Sequence, residues 1–280
     1  MKHILLIANV NGQDTQLLRY AARFCNDNDL RLHLLQIEEN STPTLISSPS
    51  YFNKTGYSLG NSVHEKEKEL ANFVLESTKN LIATDWVSSK IMSGNVEHCL
   101  TTFINQEHIN LILVGQSVFT SENVAANKIF KQLLLNVSEL PTLIIPDDSS
   151  YQEFKKTAYL TTLKGDDYSN LKNIRSLFPD TSISVLHFSQ TAPNIDQQKR
   201  IQYLQSEFVD ASLQYEIKQE DIEDFVRRES STLTPEFDLI TLRTRKRNFW
   251  QRLLDPSTAL HFILQLETPT LLFKYRVEDE

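Results

Sequence analysis

Cysteine is scarce in this chain. Cys25 and Cys99 are the only two in 280 residues, and neither has a C-x-x-C partner or a metal-ligand spacing. Both fall in predicted helices, so buried free thiols in a reducing compartment are the simplest reading. Long apolar runs are lacking too. None approaches the roughly 20 residues that cross a bilayer, and the first apolar stretch, Ile4 to Ala8, is too short for a signal h-region. The expectation is a cytoplasmic protein with no membrane partner. Positive charge is also in deficit: 28 Lys and Arg face 36 Asp and Glu, a formal net charge of -8. That field opposes nucleic acid and anionic lipid, so no nucleic-acid partner is expected and any anion site must be local.

What remains is ordinary globular material, 40% hydrophobic and 23% charged, long enough for two compact domains that each bury a core. Periodicity predicts a strand at 4–8, a helix at 14–24 and a strand at 31–37. A polar excursion follows from Glu39 to Ser62, and then a charged amphipathic helix over 63–81. A strand at 86–92, a helix at 96–106, a strand at 111–114, a helix at 127–137 and a strand at 142–145 complete the unit.

The order restarts near Lys156. Residues 4–14 (ILLIANVNGQD) align with 157–167 (TAYLTTLKGDD) at an offset of 153. Residues 110–115 (NLILVG) align with 238–243 (DLITLR), and 140–145 (LPTLII) with 268–273 (TPTLLF), both at an offset of 128. The 25-residue difference falls chiefly in the 39–62 excursion, which shrinks in the second copy to about 189–194. Alternating strands and helices imply right-handed crossovers and a parallel sheet covered on both faces. The fold class read from the sequence is therefore α/β, two doubly wound five-stranded Rossmann-like sheets in tandem, with domains at 1–148 and 154–280.

The helix LLRYAARF at 17–24, the strand LHLLQI at 32–37, and above all NLILVG at 110–115 followed by LPTLIIP at 140–146 resemble universal stress proteins. The two copies together extend this resemblance over nearly the whole chain. It implies strand order 3-2-1-4-5 in each domain, with ligands in the crevice outside the carboxyl ends of strands one and four. The fifth strand is then a sheet edge, and an apolar edge invites another strand. Pairing of 142–145 with 270–273 into an internal pseudo-dimer is expected, and a homodimer is the further assembly open to the chain.

The family's ATP-binding type carries an Asp after the first strand and G-x2-G-x9-G-[ST] after the fourth. Here those positions hold Asn9, Gly115, Val118, Lys128 and Ile129, and in the second copy Thr162, Arg243, Lys246, Pro256 and Ser257. Gly115 and Ser257 alone survive. Such glycines permit positive φ and let backbone amides reach phosphate; Val118 suits positive φ poorly and Pro256 has no N–H to give. The resemblance thus implies no ATP held in the family's manner, and no cofactor is expected.

In the first copy the crevice residues are Asn9, Asn11, Gly12, Gly115, Gln116 and Ser117. These are neutral groups suited to a small polar ligand, or to satisfying their own turns. In the second copy Lys164, Arg243, Thr244, Arg245, Lys246, Arg247 and Arg252 form the densest positive patch, suited to an anion through guanidinium groups in place of lost amides, or to a solvated loop facing acidic residues of the other copy, and Ser257 is the surviving motif residue beside it. Phe249 and Trp250 beside it suit either base stacking or packing. The seven histidines are scattered, the consecutive Glu97-His98-Cys99 diverge around a helix, and no metal site is expected. Asp147-Asp148, Asp166-Asp167 and Glu220-Asp221 read as surface pairs at turns and helix starts.

These features predict a non-catalytic stress-response or regulatory module binding a small molecule, an anion or a protein partner. Two alternatives stand beside it. One is a nucleotide- or anion-binding protein using the substituted loops. The other is an enzyme of the adenine-nucleotide α-hydrolase-like group, which would want an H-x-G-H or S-G-G-x-D signature; the chain has neither.

Overall fold

The computed structural model describes residues 1–7, 15–38, 59–116, 140–147, 149–161, 163, 167–189, 192–208, 213–220, 224, 225, 228, 236–244 and 267–274. Among them the chain divides into two compact units, the first ending at Asn110 and the second beginning at Leu111.

The first unit opens with β1 (Lys2–Ile7), whose Ile4 to Ile7 are all buried because helices cover a parallel sheet on both faces. Helix α1 (Thr15–Asp27) turns Leu18, Ala21, Ala22 and Cys25 to the core at helical spacing. The Asn28 amide donates to the Phe24 carbonyl at 2.8 Å, and Asp29, at φ 52°, turns the chain back. The strand β2 (Leu30–Glu38), the helix α2 (Leu59–Thr78), one 3-10 turn (Thr84–Trp86) and the strand β3 (Val87–Ser93) follow. β1 pairs with β2 and β2 with β3, all parallel. Helix α3 (Val96–Gln106) begins at Asn95, whose side chain accepts from the His98 amide at 3.2 Å. It ends where His108 takes φ 51°, a left-handed residue that redirects the chain into β4 (Ile109–Gly115).

In the second unit β4 runs parallel to β5 (Thr142–Ile145). Then come β6 (Lys156–Thr161), α4 (Asp167–Leu177), β7 (Ser182–Phe188), α5 (Ile195–Glu207), β8 (Leu213–Lys218), β9 (Leu239–Thr244) and β10 (Thr270–Lys274). Asn194 and Gln197 form a reciprocal capping box at the start of α5. Strands β8, β7, β6, β9 and β10 lie side by side and parallel, which is the order 3-2-1-4-5 within one repeat. β10 also pairs antiparallel with β5, placing Leu271 opposite Leu143 and Thr270 opposite Ile144.

The repeat is written in hydrogen bonds as well as in sequence. The His3 amide donates to the Asn110 side chain at 2.9 Å, and the Lys156 amide to the Asp238 carboxylate at 2.8 Å. These pairs sit at the same offsets, 153 and 128, that align the openings and closings of the two copies. The Ile112 amide donates to the Pro141 carbonyl and the Ile240 amide to the Pro269 carbonyl, each at 3.0 Å and again 128 residues apart. No described helix is long and apolar enough to cross a membrane.

Candidate functional site

Strands β6 and β9 are neighbours, so the crevice of the second repeat lies beyond their carboxyl ends. Arg243 and Thr244 close β9, one and two residues past the Leu160–Leu242 pair. On the β6 side the Tyr159 hydroxyl donates to Asp167 Oδ1 at 2.6 Å, and the Thr161 hydroxyl donates to the same oxygen at 2.8 Å. Thr161 Oγ1 accepts in turn from the Leu163 amide at 2.8 Å, Leu163 sits at φ 56°, and the Arg200 guanidinium donates to its carbonyl at 2.9 Å. The Asn170 amide donates to the Tyr159 oxygen at 3.1 Å. Thr161 at the end of β6, and Leu163 through it, are thus tied to a carboxylate at the N-terminus of α4.

This corrects the reading of Asp167 as a surface carboxylate, since it is only 4% exposed; Asp166 lies outside the described residues. An acid at a helix start usually serves the dipole from solvent. Here two hydroxyls from β6 supply the donors that make its burial tolerable. Its charge acts on neighbours. Burial pushes the Tyr215 phenol up to about 12, with Asp167 adding to the rise. Burial also holds His187 below the usual imidazole value, against opposing contributions from the Thr161 carbonyl and Asp167.

In the first repeat Gly115 ends β4, and the amide of the buried Gln116 donates to the Ile145 carbonyl at 2.8 Å. Asn9, Asn11, Gly12, Ser117, Lys164, Arg245, Lys246 and Ser257 lie outside the described residues, as do Phe249, Trp250 and the predicted helix at 127–137. Of the positive patch, Arg243 and Thr244 fall at the end of β9. Both cysteines are buried free thiols whose ionisation burial opposes.

A second site stands at the opposite, amino-terminal end of the first unit's strands. His33 Nε2 lies 3.1 Å from His3 Nδ1, and the rings stack at 4.9 Å between centroids. Ser88 Oγ is 2.8 Å from His33 Nδ1, and a Glu107 oxygen is 3.9 Å from the same nitrogen. Parallel register explains the meeting: His3 pairs with Arg31, two residues before His33 on the same face, and His33 pairs with Ser88. A cleft of about 320 Å³ opens here, lined by Arg31, His33, Asp85, Trp86, Ser88, Lys90, Phe103 and Glu107 among others. Burial, then the adjacent His3 ring, holds His33 below the usual imidazole range; Glu107 pulls upward and Arg31 adds to the lowering. Inspection of the sequence alone misses this cluster, because 30 and 74 residues separate its members. The alternation in Arg31-Leu32-His33-Leu34, which puts two polar side chains on one face of a strand start, is the signal that carries it.

No protein-family model matches the chain, and no curated protein matches it in sequence. Solved structures do match in fold. A universal stress protein from Archaeoglobus fulgidus superposes with a TM-score of 0.58 at 11% identity, over 99% of this chain and 97% of that one. The cytoplasmic domain of a prokaryotic cation chloride cotransporter gives 0.53 at 10% identity, over 97% and 94%. A putative universal stress protein from Pseudomonas aeruginosa gives 0.51 at 15% identity, over 98% and 93%. The chain has the α/β fold of universal stress proteins over nearly its whole length.

Proposed function

We propose that this chain is a non-catalytic regulatory module of the universal stress protein type, working in the cytoplasm, that does not hold ATP in that family's manner. The observation that carries the reading is the Tyr159–Asp167–Thr161 network. A phosphate entering a crevice of this fold relies on free donors at turns and helix starts. In the second repeat the β6 hydroxyls are committed to a resident carboxylate, and that carboxylate repels an incoming anion. The sequence argument from Val118, Pro256 and the missing glycines points the same way. The two repeats act as a pseudo-dimer joined through their last strands, a reading supported by the β5–β10 pairing.

The test is a thermal shift with millimolar ATP and magnesium, alongside an assay for phosphate release. Ligand at a thousandfold excess over its dissociation constant stabilises by about 4.1 kcal/mol. Micromolar affinity would therefore raise Tm by several degrees and overturn the reading, as would turnover. The expected results are a negligible shift and no released phosphate.

A second reading has one observation in its favour. Arg243 stands at the carboxyl end of β9, beside the end of β6. A small anion held by Arg243, Arg245 and Lys246 would bind modestly and weaken with salt. Calorimetric titration of the wild type and an R243A/K246A double variant with tripolyphosphate tests it. Equal binding by both proteins would move any anion site elsewhere.

A further inference from the structure

We propose that His3, His33 and Glu107 form a binding site for a divalent transition-metal ion of the zinc type, opening onto the cleft beside Trp86. Two imidazoles and a carboxylate are the donor set such an ion takes from proteins, and three protein donors leave a tetrahedral ion one position for water or an anion. The ligand atoms of the three residues already lie within 4.8 Å of one another. Two zinc–nitrogen bonds at a tetrahedral angle place their nitrogens about 3.3 Å apart. His33 Nε2 and His3 Nδ1 are 3.1 Å apart, so little ring movement is needed. Glu107 is part-exposed, and its oxygen, 3.9 Å from His33 Nδ1, would swing toward the facing nitrogens to complete the set.

The surroundings hold the ligands as a metal site requires. In the tautomer whose Nδ1–H donates to Ser88 Oγ across their 2.8 Å contact, the His33 Nε2 lone pair faces His3, and the ring orientation is fixed by its other nitrogen. Without an ion, a single proton must lie between the two facing nitrogens; a metal ion takes its place. Glu107 is the C-cap residue of α3. A carboxylate there meets the negative end of the helix dipole, a position that a bound cation makes favourable. Arg31 and Lys90 line the same cleft and favour an anion in the open coordination position.

The experiment uses the full-length, tag-free, chelator-treated protein, titrated with zinc chloride by calorimetry and with cobalt(II) chloride by visible absorption. We expect one zinc ion per chain and the d–d bands of a four- or five-coordinate cobalt site. His3→Gln and Glu107→Gln, both at part-exposed positions, should each weaken zinc at least about tenfold, with the fold checked by circular dichroism. His98→Gln, outside the cluster, should leave binding unchanged. The wild type supplies a readout independent of any variant: on adding zinc, the imidazole NMR signals of His3 and His33 should shift while those of His98 and His108 stay. Absence of zinc binding, binding unchanged in either cluster variant, or unmoved His3 and His33 signals would overturn the proposal.

Discussion

The Tyr159 hydroxyl donates to the buried Asp167 carboxylate at 2.6 Å, a short link in a network that joins β6 to the start of α4. A hydrogen bond to a charged group contributes about 1.5–3 kcal/mol, and unpaired buried partners add to the loss. Tyr159→Phe removes that donor and also strips Asn170 of its acceptor. It should lower stability by about 2 kcal/mol in urea denaturation with an unchanged m-value. Asp167→Ala leaves two hydroxyls without their acceptor and should cost more than Tyr159→Phe. A loss below about 0.5 kcal/mol for Tyr159→Phe would show that the network does not hold β6 to the start of α4.

Much of the architecture is legible in the sequence, because strand and helix periods are local properties. Helix α3 occupies the predicted 96–106, since Asn95 caps it and its apolar residues recur at helical spacing. Edges shift where polar residues join a strand. β1 begins at Lys2 rather than residue 4, because pairing with Leu30 and Arg31 carries the ladder past the apolar run. α2 starts at Leu59 and stops at Thr78, whose hydroxyl donates to the Val74 carbonyl, with Asn80 at φ 63° turning the chain. The duplicated hydrogen bonds at Asn110 and Asp238 sit at the offsets legible in the sequence, though the offsets do not announce the bonds themselves. The sites are less legible. Burial of Asp167 depends on a tyrosine eight residues earlier on a strand, and the His3–His33–Glu107 cluster on the register of parallel strands; neither is a local pattern.

His187 gives the stability a definite pH dependence. It is fully buried, its Nδ1 lies 3.3 Å from the Thr161 carbonyl, and its Nε2 has no partner among the described residues. Its folded pKa is lowered from 6.5, chiefly by burial. The unfolded chain therefore binds a proton more readily than the folded one, and stability rises with pH across the interval between the two values. The contribution is complete above the unfolded value, is lost as pH falls from 6.5 toward the folded pKa, and changes no further below it. His33 is shifted in the same direction. A His187→Gln variant should accordingly lose less stability than the wild type between about pH 7.5 and about pH 5, without becoming independent of pH. Parallel denaturant midpoints at the two pH values check this. Equal losses in both proteins would mean that His187 does not titrate with folding.

The β5–β10 pairing makes the strictest prediction about how the repeats are joined. Leu143 and Leu271 are directly opposed in that antiparallel ladder, and both are wholly buried. Truncating either to alanine should cost about 2–5 kcal/mol, the usual loss for a core leucine whose neighbours cannot collapse onto the gap. That figure alone says nothing about pairing, because any buried leucine would show it. The double variant carries the information. Side chains opposed across two strands contact one another, so the second truncation removes packing that the first has already lost. The two costs should therefore fall short of additivity by about 0.5 kcal/mol or more. Residues in separate edges would add to within about 0.3–0.5 kcal/mol. A cycle by urea denaturation of the wild type, Leu143→Ala, Leu271→Ala and the double variant decides it, and strict additivity would argue that the two last strands do not pair in solution.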